Sequence, residues 1–267
     1  MARSAILNVM VGAAMKAGRG LARDFGEVQN LQVSLKGPGD FVSSADQRSE
    51  KVIRTELQKA RPRYGLLMEE SGWIEGSDPQ HRFIVDPLDG TTNFLHAIPV
   101  FAISIALERN GELFAGVIYN PAMDELFTAE RGVGAYLNDR RLRVAARSNL
   151  SDCVIGTGIP HIGRGDHAQF LAEQKAIMAE TSGVRRLGAA AIDLAYVAAG
   201  RLDGFWERGL SPWDTAAGIV MIREAGGFVS DLDGGQEMFS ASAICAGNET
   251  VHARLLSRLK GAGAART

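Results

Sequence analysis

The run Phe83-Ile84-Val85-Asp86-Pro87-Leu88-Asp89-Gly90-Thr91-Thr92-Asn93-Phe94 constrains the fold more than any other part of the chain. An apolar strand ends there in two carboxylates three residues apart, and Pro87 fixes the backbone between them. Magnesium prefers oxygen ligands, usually one or two carboxylates completed by phosphate and water, and Asp86 and Asp89 at a strand end can share such an ion. If Gly90-Thr91-Thr92 then opens a helix, its free N–H groups and positive dipole end face an anion. The segment reads as metal-assisted phosphoryl chemistry. The plainer reading is a polar turn in which Asp and Gly serve geometry alone.

Three further segments bear on the choice. Lys36-Gly-Pro-Gly-Asp40-Phe-Val-Ser-Ser-Ala-Asp46 places two acids around a short apolar piece. Met68-Glu69-Glu70-Ser71 puts acids at the end of the run Gly65-Leu66-Leu67, and Pro212-Trp213-Asp214-Thr215-Ala216-Ala217-Gly218 sets an acid at a helix start. Taken together, in this order and spacing, the four segments resemble the inositol monophosphatase family from Lys36 to Gly227.

The resemblance implies a magnesium-dependent phosphomonoesterase that hydrolyses inositol monophosphate by direct attack of a metal-activated water. It implies Mg2+ ligation by Glu69, Asp86, the carbonyl of Leu88, Asp89 and Asp214. It pairs Thr91 with Asp46 to orient the attacking water, with Glu69 on the metal side of the same step. Phosphate would be held by Gly90, Thr91 and Thr92, and the polyol would meet Gly188, Ala189, Ala190 and Glu207, with Asp89 and Asp214 also in reach. Lithium sensitivity and a homodimer belong to the same expectation. Two positions depart from the commonest pattern. Met68 stands where glycine often precedes the glutamates, and Ala189 lacks the hydroxyl often found there, which bears on the alcohol rather than on the hydrolysis. Alternatives are a phosphatase of another small phosphate, such as fructose bisphosphate, histidinol phosphate or a nucleotide 3′-phosphate, and a regulatory binding protein on the same fold with a vestigial metal site.

Composition agrees with a soluble enzyme. A chain of 267 residues that is 46% hydrophobic can bury a large core. With 29 basic and 31 acidic residues the net charge is -2, which offers no basic field for nucleic acid or membrane. Cys153 and Cys245 are too few for a disulfide framework, so a reducing, cytoplasmic setting is expected. Near the N-terminus Asn8 interrupts the apolar run, while Ile6, Met10, Ala13 and Ala17 recur at helical spacing, which favours an amphipathic helix over a secretory signal. No stretch approaches the ~20 apolar residues that span a bilayer.

Other phosphate and hydrolase chemistries lack their residues. None of the six lysines precedes Ser or Thr as a phosphate loop needs, neither cysteine heads a Cys-x5-Arg signature, and no Gly-x-Ser-x-Gly elbow occurs. Gly163-Arg164-Gly165-Asp166-His167-Ala168 mimics a dinucleotide fingerprint without a clear strand before it or an acidic partner after it. The histidines show no zinc spacing.

Periodicity predicts a helix to about residue 28, a Gly/Pro loop near 36–40, and a helix over Ser44 to Lys59. Strands are expected at Arg82–Asp86, Val100–Glu108, Leu113–Tyr119, Glu125–Ala129 and Gly134–Leu137, with Asn110-Gly111 turning a hairpin. Helices at Ala168–Ala179, Ala190–Ala199 and Trp213–Glu224 alternate with strands at Asp203–Glu207 and Gly227–Asp231. The Gly-Ala-Gly-Ala-Ala tail is expected to be mobile. The fold class is α+β, and the resemblance implies a layered α-β-α-β-α sandwich with residues 1–267 forming a single catalytic domain and the metal site between the halves.

Overall fold

A computed structural model of the chain describes residues 3–27, 33–37, 40–161 and 165–264. Helix α1 (Ala5–Phe25) is followed by a β1 (Val33–Gly37) and β2 (Asp40–Ser43) pair and by helix α2 (Ser44–Ala60). Next come β3 (Tyr64–Met68), β4 (Gly72–Ile74), β5 (Asp78–Asp89), the one-turn helix α3 (Thr91–Leu95), β6 (Ala102–Arg109), β7 (Glu112–Asn120), β8 (Glu125–Glu130), β9 (Gly134–Leu137) and β10 (Arg140–Arg141). These strands make one eight-stranded sheet in the order β10-β9-β8-β7-β6-β5-β3-β4. Only the β3–β5 pair in it is parallel.

The second half holds β11 (Val154–Thr157), α4 (His167–Met178), β12 (Gly183–Arg185), α5 (Ala190–Ala198), β13 (Gly204–Arg208), α6 (Pro212–Glu224), β14 (Phe228–Ser230), α7 (Met238–Ala241), β15 (Ala243–Gly247) and α8 (Glu249–Ala264). Its five strands order as β12-β11-β13-β15-β14.

Strand alternation explains the layers. On β5, Phe83 and Val85 point to one face and join Leu7, Met10, Ala14 and Leu21 of α1, whereas Ile84 points to the other and joins α5 and α6. Burying each large side chain on the α1 face contributes on the order of 1.5–3 kcal/mol. The inner face is built from small residues so that α6 can approach. A Cβ on Gly116 of β7 would stand 2.7 Å from the carbonyl oxygen of Ala217, and Ser104 of β6 donates to the carbonyl of Trp213 at 3.1 Å. On the far face of the smaller sheet, Phe170 and Ile177 of α4 meet Leu255 and Leu259 of α8. The result is helix pair, large sheet, α5/α6, small sheet, helix pair, as expected.

Several expectations are corrected. Helix α1 stops at Phe25, where Gly26 caps it, rather than at 28, a residue outside those described. The Gly/Pro loop expected near 36–40 is shorter, since 36–37 belong to β1 and 40 to β2, and its remaining 38–39 and the 163–164 part of the dinucleotide-like run lie outside the described residues. The expected strand from Val100 begins at Ala102. The tail is helical to Ala264, because Leu255, Leu259 and Ala262 continue a buried face along α8. Strands β1, β2, β3, β4, β10, β11, β12 and β15 and helices α7 and α8 were not foreseen.

Candidate functional site

The candidate site lies where the carboxyl end of β5 meets the N-termini of three helices. Each helix start leaves backbone N–H groups without intrahelical partners, and a carboxylate placed there satisfies one while gaining from the dipole. Asp46 is the third residue of α2, and its Oδ2 accepts from the Ser43 backbone N at 2.8 Å and from the Ser43 hydroxyl at 2.5 Å. Asp214 holds the same place in α6, with Oδ2 accepting from the Ser211 N at 2.7 Å. Asp89 reaches across to α5, where its Oδ2 accepts from the Ala191 N at 2.7 Å. In each case one oxygen is anchored to a helix start. For Asp46 the other, Oδ1, accepts from the Thr91 hydroxyl at 2.9 Å.

The turn after β5 is fixed in the same way. Asp86 is buried, and its Oδ1 accepts from the Leu88 N at 2.9 Å. The Ser49 hydroxyl of α2 donates to the Pro87 carbonyl at 2.8 Å. Gly90 takes φ +89°, a left-handed conformation that lets α3 start at Thr91, and a Cβ there would stand 3.0 Å from the Val100 carbonyl oxygen. The expected helix after the turn is therefore present, though only five residues long. The Thr91 hydroxyl also lies 3.1 Å from the Leu88 carbonyl.

Electrostatics bind the acids into one group. Burial, then the charges of Glu69, Asp89 and Asp214, push the Asp86 carboxyl well above the ordinary range, and Glu69 is close enough to share a hydrogen bond with it. Burial and the charge of Asp214 raise Asp89 well above that range too, with Glu207 and Glu69 adding to the effect and the Ala191 N–H opposing it. Burial raises Asp46 despite its bonds from Ser43 and Thr91. Glu207 is pushed up to about 8 by burial and by Asp214, against the pull of Arg186. Like charges held this close with no cation raise one another's pKa. The donor set is all oxygen, the type that hard divalent cations prefer. Among the described residues, no group of three or more His, Cys, Asp or Glu side chains is arranged, as the side chains stand, to hold a metal ion.

A cleft of about 180 Å³ opens beside these acids, lined among others by Asp89, Gly188, Ala189, Ala190, Glu207 and Asp214. The structure thus brings together the acids expected to bind metal and the residues expected near the alcohol. Asp46 is fully buried and Glu207 lines the cleft, so neither is merely a solvated surface charge. Thr92, the second residue of α3, is exposed.

Three contributors escaped the sequence reading. Glu50 of α2 is buried and accepts from the Glu70 N at 2.9 Å, from the Ser71 hydroxyl, and from the Ser71 N at 3.4 Å, which fixes the turn that carries Glu69. Asn93 donates to the carbonyls of Val100 at 2.7 Å and Leu187 at 2.8 Å, tying α3 to the loop before Gly188. Asp193 of α5 also lines the cleft. The only signal for Glu50 was its place one turn after Asp46, on the same helix face.

Comparison with known proteins agrees with this fold. Residues 2–263 match the model of the inositol monophosphatase family. An inositol-1-monophosphatase of Mesorhizobium japonicum is 70% identical over 97% of this chain and 98% of its own. A Nus factor SuhB of Escherichia coli is 42% identical over 96% of each chain. The crystal structure of the extragenic suppressor protein suhB from Bartonella henselae is 65% identical, with a TM-score of 0.94 over 96% of this chain and 99% of that one.

Proposed function

The chain belongs to the inositol monophosphatase family, and from that premise we infer that it is a phosphoric monoester hydrolase that releases phosphate from inositol monophosphate with Mg2+ as cofactor. The observation that carries the reading is the cluster of Glu69, Asp86, Asp89 and Asp214, whose mutual repulsion a divalent cation would relieve. Glu69, Asp86, the Leu88 carbonyl, Asp89 and Asp214 would hold the metal, which when bound supplies charge neutralisation for the phosphate, a water of lowered pKa and support for the leaving alkoxide.

The chain's own groups do the rest. The Thr91 hydroxyl gives its proton to a hydrogen bond with Asp46 Oδ1, which leaves a lone pair on Oγ1 free to accept from the attacking water. Burial raises the pKa of Asp46 and so makes it a better proton acceptor through that relay. The anchor to Ser43 keeps the pair from rotating away. Gly90, Thr91 and Thr92 would face the phosphate. On the other side Glu207, Asp214 and Asp89 present acceptor oxygens to hydroxyl groups, with Gly188, Ala189 and Ala190 forming the adjoining wall. A second phosphate on the alcohol would meet those acids, which favours a monophosphate of a polyol over fructose bisphosphate.

Residues 1–267 act as one catalytic domain in this reading, with a homodimer as the assembly that family resemblance implies. Both cysteines are free and buried, which suits a reducing cytoplasm. Among the described residues no helix is long and apolar enough to cross a membrane. The Nus factor relative supports a second role as a binding protein, one that coexists with hydrolysis because the candidate ligands are all in place. Phosphate release over a panel of inositol monophosphate, fructose 1,6-bisphosphate, histidinol phosphate and a nucleotide 3′-phosphate tests the reading. Inositol monophosphate is expected to give the highest kcat/KM, and a higher value for any other member would overturn the assignment. Lithium added to a magnesium-saturated assay is expected to lower the rate, and an unchanged rate would count against the family mechanism here.

A further inference from the structure

Asp193 carries a feature that the proposed chemistry does not use. It lies on α5 one turn after Ala189, and its backbone N donates to the Ala189 carbonyl at 3.0 Å, so the two positions share a helix face. The residue is 1% exposed, yet Oδ1 has no hydrogen-bond partner among the described residues. A buried acceptor without a partner is costly, and native proteins keep few of them.

The surroundings are shaped to hold this carboxyl. A Cβ on Gly156 of β11 would stand 2.8 Å from Asp193 Oδ1, and a Cβ on Gly158, just past the end of that strand, would run into the carboxyl of Glu207. Two missing side chains, at Gly156 and Gly158, therefore leave room for two acids, one from α5 and one from β13. Both line the cleft that also holds Ala189, Asp89 and Asp214. Burial raises the Asp193 carboxyl well above the ordinary range, the charges of Glu207 and Asp89 raise it further, and Arg186 draws it back. Arg186, at the cleft wall, is a basic group that acts on both acids.

We propose that Asp193 is a specificity-determining residue of the alcohol subsite, where its carboxyl, next to that of Glu207, takes a hydroxyl of the bound polyol. The ligand class is a monophosphate whose alcohol carries free hydroxyls. At the Ala189 face, which lacks a hydroxyl of its own, the polar group comes instead from one turn further along α5. This rests on the proposed phosphatase reading.

The test compares kcat/KM for inositol 1-phosphate with kcat/KM for p-nitrophenyl phosphate, which has no hydroxyl to bind, in the magnesium-loaded enzyme and in Asp193→Ala and Asp193→Asn. Removing a hydrogen-bonding group that recognises a substrate hydroxyl erodes selectivity rather than hydrolysis as such. The ratio is expected to fall by at least ~10-fold in Asp193→Ala and by less in Asp193→Asn, with a melting temperature no lower than that of the parent because an unsatisfied buried acceptor has gone. A ratio that changes less than ~10-fold in Asp193→Ala overturns the proposal, whether both activities survive or both fall together. If the parent hydrolyses p-nitrophenyl phosphate but no inositol phosphate, the substrate assignment fails, and the same ratio taken with glycerol 2-phosphate still decides the role of Asp193.

Discussion

Replacing Glu50 with alanine should loosen the turn that carries Glu69 without touching any proposed ligand. Glu50 is 4% exposed and accepts three bonds from the β3–β4 turn, from the Glu70 N, the Ser71 N and the Ser71 hydroxyl. A hydrogen bond to a charged group contributes about 1.5–3 kcal/mol when fully buried. Glu70 and Ser71 are partly reached by solvent and the Ser71 N bond is long, so water will replace part of the loss. About 1 kcal/mol for each of the two good bonds, with a further contribution from the buried methylenes, gives a destabilisation of ~2–3 kcal/mol. For a chain of this size that corresponds to a fall of about 4–10 °C in melting temperature. The functional mark is distinct, since Glu69 keeps its carboxylate but loses its fixed direction. The magnesium concentration for half-maximal rate should rise more than kcat at saturation falls. Thermal melts without metal and magnesium titrations of the rate measure both, and Glu50→Gln, which keeps one acceptor oxygen, should fall between the two. Parent-like melting and parent-like magnesium dependence in Glu50→Ala would refute the idea that this clamp places Glu69.

Two further outcomes follow from the acid cluster. Asp89→Asn keeps size but removes a charge that a metal would need, and kcat is expected to drop by at least ~10²-fold, as when one preorganised electrostatic group is lost. Glu70→Gln should cost far less, because the structure uses the Glu70 backbone N–H at the Glu50 clamp; equal losses in two folded variants, checked by circular dichroism, would reassign the ligands. The raised carboxyls also set the sign of pH dependence in metal-free protein. A group with its folded pKa above its unfolded value stabilises the fold below the unfolded pKa and loses that contribution as pH rises through the folded one. For Glu207 the window runs from the ordinary value of 4.5 to about 8. Melting temperature without metal should therefore fall across that window, and Glu207→Gln should flatten the fall; an identical slope in the variant would contradict the assigned burial.

The segment from Asp86 to Phe94 was legible because its chemistry is local. A strand end, a proline, two acids and a glycine turn lie within one short run, and helix α3 begins where that run predicts. Asp46 and Asp214 were legible as acids at helix starts, although their hydrogen bonds required the fold. Glu50 was not, since an acid on an amphipathic helix reads as solvated until a turn 20 residues further on arrives beside it. Asp193 offered a faint cue in being the lone acid among Ile192, Leu194, Ala195 and Val197, all of them buried. Strand β15, Ala-Ile-Cys-Ala-Gly, is buried on both faces, so the alternation that marks a half-exposed strand is missing. The glycines and alanines of the tail suggested mobility, whereas Ala262 is held by its place on the buried side of α8.

Phosphate release from inositol 1-phosphate, followed in protein stripped by exhaustive chelation and then titrated with magnesium, bears most directly on the claim that this acid cluster works through a metal. The rate should be lost on stripping and restored by the ion. Activity that survives stripping undiminished, or that magnesium fails to restore to folded protein, would contradict it.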